Sequence, residues 1–331
     1  MTTTDRPIGG LLVTGAGGML GQDVVRAATR RGHGVAGLAR AGLDICDAEA
    51  VAAALERLAP DVVVNCAAWT DVDGAETAEH QALAVNATAA GILARGCTAV
   101  GARLVHVSTD YVFDGQAQRP YVESDEPAPR SAYGRTKLAG EREVLGLDGG
   151  HAVVRSSWLF GSGGRCFPAT MLRLAGAGSD GDGDGRRREV SVVTDQIGAP
   201  TYTGHLAEAV VDLSERLAGD PGGGPHAGGP HAGGTGGGAG GIHHIAGAGR
   251  CSWNEFAFEI FARAGVQCRV LAASTAQMAR PAPRPAWSVL GSERPDAVVL
   301  PPWEDGLAAY LAEIGRTGRS AGGQAHVEVA G

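Results

Sequence analysis

Five short stretches of strand length alternate with helix-patterned segments along the first half of this chain. They are Leu11–Thr14, Gly34–Ala39, Asp61–Asn65, Arg103–Ser108 and Ala152–Arg155. The segments between them carry helical spacing: Val24 to Arg31, Ala48 to Leu58 behind an Asp47 cap, Ala82–Val100, and a helix from Tyr133 to about Leu145. An uncharged run such as Val62-Val63-Val64 is what a strand covered on both faces requires. Strands that alternate with helices form βαβ units, so the pattern predicts an α/β fold built on a doubly wound parallel sheet. A ligand in such a sheet sits at the carboxyl ends of the strands.

A glycine turn stands at the first of those ends, Gly15-Ala16-Gly17-Gly18-Met19-Leu20-Gly21. Glycines there permit a tight turn and the close approach of a pyrophosphate to a helix N-terminus. The spacing Gly15-x-x-Gly18-x-x-Gly21 differs from the common G-x-G-x-x-G, although Gly17 is also present. By itself it also fits a plain strand-to-helix turn. The second strand ends Gly37-Leu38-Ala39-Arg40 and lacks the acidic residue that would accept from an adenosine ribose 2′-hydroxyl. Arg40 instead suits a 2′-phosphate. The expectation is NADPH, with NADH as the alternative and a solvated Arg40 as the bland reading.

Further on come Ser108-Thr109-Asp110-Tyr111 and Ser131-Ala132-Tyr133-Gly134-Arg135-Thr136-Lys137. Tyr133 and Lys137 are one helical turn apart on one face. A free phenol titrates near pH ~10, and a neighbouring ammonium favours its ionised form. Such a tyrosine can pass a proton to a carbonyl oxygen while a nicotinamide moves hydride. Alone the spacing is weak, because many such pairs lie on solvated helix faces. Its order behind the glycine turn makes the chain read as a nicotinamide-dependent oxidoreductase.

Bulk features exclude other classes. The chain has 331 residues, room for one large or two modest domains, and a net charge of −8 that argues against general nucleic-acid binding. No run of about eighteen apolar residues is present, and Met1 to Gly10 has no apolar signal-peptide core, so no membrane association is expected. The six cysteines, Cys46, Cys66, Cys97, Cys166, Cys251 and Cys268, form no C-x-x-C pair, which predicts reduced thiols and a cytoplasmic protein without a metal site.

The second half is less regular. Residues 176–188 include Asp180-Gly181-Asp182-Gly183-Asp184-Gly185, which imitates the start of a calcium loop but has Ser191 where the loop needs Glu. Residues 222–241 are Gly-rich, with His226 and His231 inside a short repeat, and read as a linker. Ile242–Ala246 then suits a strand, Ser252 caps a helix through Ala264, Trp303 to Ile314 suits a last helix, and the tail from Gly315 is expected to fray. The expected organisation is a nucleotide-binding unit over 1–160, a smaller α/β substrate-binding region over 161–315, and a disordered 316–331.

Taken together, these blocks resemble the dTDP-4-dehydrorhamnose reductases, extended short-chain dehydrogenases/reductases of Rossmann-type fold. The resemblance rests on Val13–Gly21, Asn65–Asp73, Ser108–Gly115 and Tyr133–Glu141, and continues in Ser157–Gly161, Asp195–Thr201 and Arg284–Leu290. It spans residues 10 to 315 outside the two Gly-rich insertions. It implies reduction of the keto group of a dTDP-linked 6-deoxyhexose with a nicotinamide hydride donor. Carried over by position, Thr109 bonds the sugar carbonyl, Tyr133 donates the proton, and Lys137 holds the nicotinamide ribose and biases Tyr133. Asp110 and Trp158 contact the sugar. Gly15, Gly18, Met19, Leu20 and Gly21 line the diphosphate turn, Asp44 and Ile45 flank adenine, and Ala67, Ala68 and Trp69 follow the cofactor past the third strand. A strand end at Thr109, a turn cap at Asp110 and ordinary core at Trp158 are the bland alternatives.

The substrate half departs from the family pattern: Cys166 replaces a usual Asn, Trp287 a usual Tyr, Gly291 a usual acidic residue or Asn, and His205 a common Asp. That drift fits a sister activity, dTDP-dihydrostreptose synthesis in the making of a streptomycin-type antibiotic. A third reading is a non-catalytic NADP-binding regulatory subunit, as in the beta subunit of methionine adenosyltransferase. A homodimer is possible, and a magnesium requirement stays open.

Overall fold

The computed structural model describes residues 9–176, 189–219 and 238–321, with side chains to residue 315. The strands are β1 (Leu11–Thr14), β2 (Val35–Leu38), β3 (Val62–Asn65), β4 (Arg103–Thr109), β5 (Ala152–Ser156), β6 (Leu159–Phe160), β7 (Glu189–Val193), β8 (Ile197–Gly198), β9 (Thr201–Tyr202), β10 (Gly241–His244), β11 (Cys251–Ser252) and β12 (Arg269–Ala273). The helices are α1 (Met19–Arg30), α2 (Ala48–Leu58), α3 (Val72–Thr77), α4 (Glu79–Leu83), α5 (Ala89–Val100), α6 (Ala132–Leu145), α7 (Phe167–Leu174), α8 (Thr203–Gly219), α9 (Trp253–Ala264), α10 (Thr275–Met278) and α11 (Trp303–Ala321).

Six strands form one sheet in the order β10-β5-β4-β3-β1-β2, and every pairing in it is parallel. Alternate strand residues face opposite layers. Leu11, Val13, Val62, Val64 and Val105 pack under α1 and α8; Leu12, Val63, Leu104 and Val153 pack under α2, α5 and Val144 of α6. The sheet is therefore covered on both faces, a Rossmann-type arrangement. The strand order reverses direction between β2 and β3 around β1, so the crevice opens at the ends of β1 and β3, where the glycine turn lies.

A smaller layer follows. Phe160, Met171, Phe256, Trp303, Leu307 and Tyr310 close a separate core among α7, α9 and α11. The chain does not stay in that layer: α8 and β10, both from the later half, return to the large sheet.

Several expectations need correction. The helix placed at Ala82–Val100 begins at Glu79 and contains a π turn over Ala84–Thr88, because the buried Asn86 side chain bonds across to the loop after β3. By length and composition Glu79–Val100 is the one described stretch that suits a membrane span. Its Ala89, Ala90, Leu93, Ala94 and Cys97 instead lie in the core beneath the sheet. The final helix runs to Ala321 rather than stopping at Ile314. Of the Gly-rich linker, Gly238 and Gly240 are held by Arg294 through their carbonyls and Gly241 opens β10. The calcium-like aspartates and His226 and His231 lie outside the described residues.

Candidate active site

Gly15 adopts φ +67°, and a Cβ there would stand 2.5 Å from the Ala67 backbone nitrogen. Only glycine lets the turn after β1 press against the loop after β3. Gly21 is equally confined, since a Cβ would meet the Gly15 carbonyl at 2.3 Å. Gly18 is the N-cap of α1 and offers no side-chain hydrogen bond to the first turn. The amides of that turn, over Met19 to Gly21, are therefore available to an anion, and the helix dipole favours one. Those features fit a dinucleotide diphosphate.

The same turn is tied to the smaller layer. Gln22 Nε2 donates to the carbonyls of Gly17 and Gly163, each at 3.0 Å. Arg40 and Asp44 are exposed beyond β2, whereas Ile45 is buried in the core under the sheet. Ala67, Ala68 and Trp69 form the half-buried loop after β3. Asn65 Oδ1 accepts from the Ala67 N–H at 3.1 Å, and Asn86 Oδ1 from the Trp69 N–H at 2.8 Å.

Thr109 ends β4. Its hydroxyl donates to Asp110 Oδ1 at 2.9 Å and accepts from the Tyr111 N–H at 3.2 Å. Asp110 is 1% exposed and its second carboxylate oxygen, Oδ2, is buried without a hydrogen-bond partner. Burial pushes its carboxyl up to about 6, against the neighbouring Ser288 and Thr109 hydroxyls, which pull it down; the buried Ser288 hydroxyl is itself without a hydrogen-bond partner among the described residues. An orphaned buried acceptor of this kind costs free energy unless something donates to it.

Ser131 caps α6 by accepting from the Gly134 N–H, which sets Tyr133 in the first turn. The Tyr133 ring meets Tyr111 edge-on at 5.6 Å. Burial pushes its phenol up to about 12, and hydrogen bonding with Thr109 works against that rise. The expected lowering by Lys137 does not offset that rise, because the lysine turns its nitrogen toward β4. Lys137, 2% exposed, directs Nζ to the Val107 carbonyl at 2.7 Å and to His106 Nε2 at 3.3 Å. One helical turn later, Glu141 is paired with the equally buried Arg155 at 2.6 Å and takes the Ser108 hydroxyl.

Over this cluster runs the strap 280–291. Arg284 grips Asp73, Trp287 N–H donates to the Gly115 carbonyl at 3.1 Å, and Gly291 N–H to the Tyr121 carbonyl at 2.7 Å. Trp158 stands apart. It stacks on Trp253 at 3.6 Å with an interplanar angle of 7°, in a left-handed backbone conformation, φ +47°. Such a conformation costs a non-glycine residue on the order of 1–3 kcal/mol and is held by the surrounding packing. Among the described residues no hydrogen bond or ring contact joins it to Tyr133.

The four family departures sit in distinct settings. Cys166 is buried and turns its thiol to the Gly161 carbonyl and the Tyr310 hydroxyl. Trp287 donates from Nε1 to the Arg119 carbonyl. Gly291 packs against Pro120, and His205 packs edge-on against Tyr202.

His106 and Gln22 lie outside the sequence motifs, and Thr14, Asn65, Asp73 and Arg284 lie within them with no role assigned by spacing. Their signal was faint: a histidine and an asparagine at inward-facing positions of otherwise apolar strands.

Glycine turn, switch-point crevice and Tyr–Lys helix together define a Rossmann-type reductase. The family model "RmlD substrate binding domain" matches residues 9–316. The chain is 43% identical over 316 residues to a dTDP-4-dehydrorhamnose reductase of Streptomyces griseus, covering 93% of this chain and 95% of that protein. It is 41% identical over 300 residues to a probable dTDP-4,6-dihydroxy-2-methyloxan-3-one 4-ketoreductase of Streptomyces antibioticus, covering 90% and 92%. The crystal structure of Bacillus anthracis dTDP-4-dehydrorhamnose reductase in complex with NADP superposes with a TM-score of 0.81 at 33% identity, covering 92% of this chain and 99% of that one. The chain belongs to the RmlD family.

Proposed function

We propose that this protein reduces the 4-keto group of a dTDP-linked 6-deoxyhexose with NADPH. The observation that carries the reading is the cluster of Thr109, Asp110 and Tyr133 at the mouth of the nucleotide crevice, with an unmatched acceptor oxygen on buried Asp110. A sugar hydroxyl is a donor suited to that oxygen. Relatives named for dTDP-keto-sugar reduction support the substrate class.

A reduced nicotinamide in the crevice supplies hydride. Tyr133 delivers the proton to the carbonyl oxygen, and Thr109 orients that oxygen from the end of β4. A phenol pushed up to about 12 stays protonated at neutral pH, as a proton donor must. Lys137 binds the ribose hydroxyls and, once placed there, favours the phenolate that proton transfer leaves behind. Asp110 and Trp158 fix the sugar. Arg40, exposed beyond β2 where no acidic residue stands, favours a 2′-phosphate and hence NADPH over NADH.

The test is turnover of dTDP-4-keto-rhamnose, with rearranged dTDP-sugars of the streptose type alongside, and NMR identification of the product. The expected result is NADPH oxidation stoichiometric with a dTDP-6-deoxyhexose. Preference for a rearranged sugar would move the assignment to the dihydrostreptose branch. NADPH binding with no oxidation on any dTDP-ketosugar would reject the enzymatic reading in favour of a regulatory subunit.

A further inference from the structure

The hydrogen-bond directions beneath Lys137 are determined by one asparagine. Asn65 Oδ1 accepts from the Thr14 hydroxyl at 2.8 Å and from the Ala67 backbone N–H at 3.1 Å. The backbone donor fixes the amide orientation, because a flipped Asn65 would set two donors against each other. Asn65 Nδ2 therefore faces His106 Nδ1, at 3.0 Å, as a donor. His106 Nδ1 accepts, so the neutral ring carries its proton on Nε2. That N–H points at Lys137 Nζ, 3.3 Å away, while Nζ also donates to the Val107 carbonyl at 2.7 Å. An ammonium has three donors and no acceptor; a neutral amine has one lone pair.

We propose that His106 is a positioning residue that holds the deprotonated form of Lys137, an amine accepting the His106 Nε2–H, so that at alkaline pH transfer of Lys137 to the nicotinamide ribose is coupled to proton uptake. The inference rests on the nicotinamide reading of the crevice but not on which sugar is reduced.

The charges around the pair agree. From its own helix α6, Lys137 faces Glu141, which is engaged by Arg155 from β5 and Ser108 from β4. From the end of β3 it faces the Cys66 thiol, which burial pushes up to about 12 and so keeps neutral. Tyr133, one turn earlier on α6, is likewise a neutral phenol at pH 8. His106 faces no charged group but Lys137. Burial brings Lys137 down to about 8 and holds His106 well below its ordinary value, so the imidazole is not the charged partner. On the ribose, hydroxyl oxygens accept from an ammonium and restore its proton. Because the bound form then holds more protons on Lys137 than the free form, uptake grows as pH rises through the free value.

Calorimetric titration with NADPH at pH 8.5, in two buffers of different ionisation enthalpy, measures this directly; the 2′-phosphate is fully ionised there. The expected uptake is about 0.5–1 proton per NADPH. His106→Gln, whose amide oxygen accepts from a charged Lys137, is expected to cut that uptake at least twofold while NADPH still binds. Lys137→Arg, which carries a permanent charge, is expected to abolish it and covers the case in which His106→Gln does not fold. Wild-type binding heats that are equal in both buffers, an unchanged uptake in His106→Gln, or uptake that survives in Lys137→Arg would each overturn the coupling. Absence of any NADPH binding would overturn the nicotinamide reading beneath it, a result distinct from buffer-independent binding.

Discussion

Arg284 holds Asp73 through both terminal guanidinium nitrogens, Nη1 to Oδ1 at 2.6 Å and Nη2 to Oδ2 at 2.7 Å. The Ala282 N–H adds a third donor, at 3.1 Å, and the guanidinium keeps the carboxyl below its usual range. This fork joins the strap over the site to the start of α3, at the edge of the nucleotide crevice. Paired geometry of this kind is worth more than a loose surface ion pair.

Arg284→Ala is expected to loosen the strap. Partial burial of the pair sets the loss of stability on the order of 1–3 kcal/mol, readable by urea unfolding. Because the strap carries Ser288 against Asp110, KM for the sugar should rise several-fold while NADPH affinity holds. An equal loss of affinity for both ligands would contradict a role confined to the strap.

Tyr133→Phe removes the proposed proton donor and little else. The rate should fall about 10²–10⁴-fold. NADPH dissociation constants should stay within about twofold, since the ring and its edge contact with Tyr111 remain. Single-turnover NADPH oxidation beside direct binding separates the two, and near-normal turnover at neutral pH would remove Tyr133 from the chemistry.

Asp110 gives a pH signature. Its folded value, about 6, lies above the ordinary carboxyl value of 3.8, so the folded state binds the extra proton. The stability this contributes is fully present below pH ~4 and is lost as pH rises through ~6. Asp110→Asn, neutral throughout, should therefore gain on the wild type by up to about 3 kcal/mol between pH 4 and pH 7.5. A stability difference independent of pH over that range would show that the carboxyl is not held by burial. Activity of the variant should fall as well, since the amide cannot accept equally from a sugar hydroxyl on both sides.

Shortening the Gly-rich segment within 224–235 should leave activity unchanged and shift unfolding by under about 1 kcal/mol, because loop closure depends only weakly on length. A longer deletion that reaches Gly238 should be damaging. The carbonyls of Gly238 and Gly240 accept from Arg294, and Gly241 pairs with Ala152 at the sheet edge. Matched thermal melts of the two deletions decide between these outcomes.

The strand–helix alternation, the glycine turn and the Tyr133–Lys137 face were all legible in the chain, because each is a local property. Apolar periodicity, a cap such as Asp47 or Ser252, and a four-residue spacing need no distant partner. The π turn at Ala84–Thr88 was not legible, since the buried Asn86 side chain answers to the loop after β3 rather than to a local pattern; the reach of α11 was not legible because helix ends are the part a local pattern determines least. What Lys137 and Tyr133 do was less legible still. The lysine's partner His106 lies 31 positions away, Asn65 lies 41 positions from His106, and Arg284 lies 211 from Asp73. A sequence spacing places a lysine near a phenol; only the assembled sheet decides which atom the lysine nitrogen faces and how far each group is removed from water. Desolvation belongs to the whole packed environment, which is why the Tyr133 phenol rises where the isolated motif would have it fall.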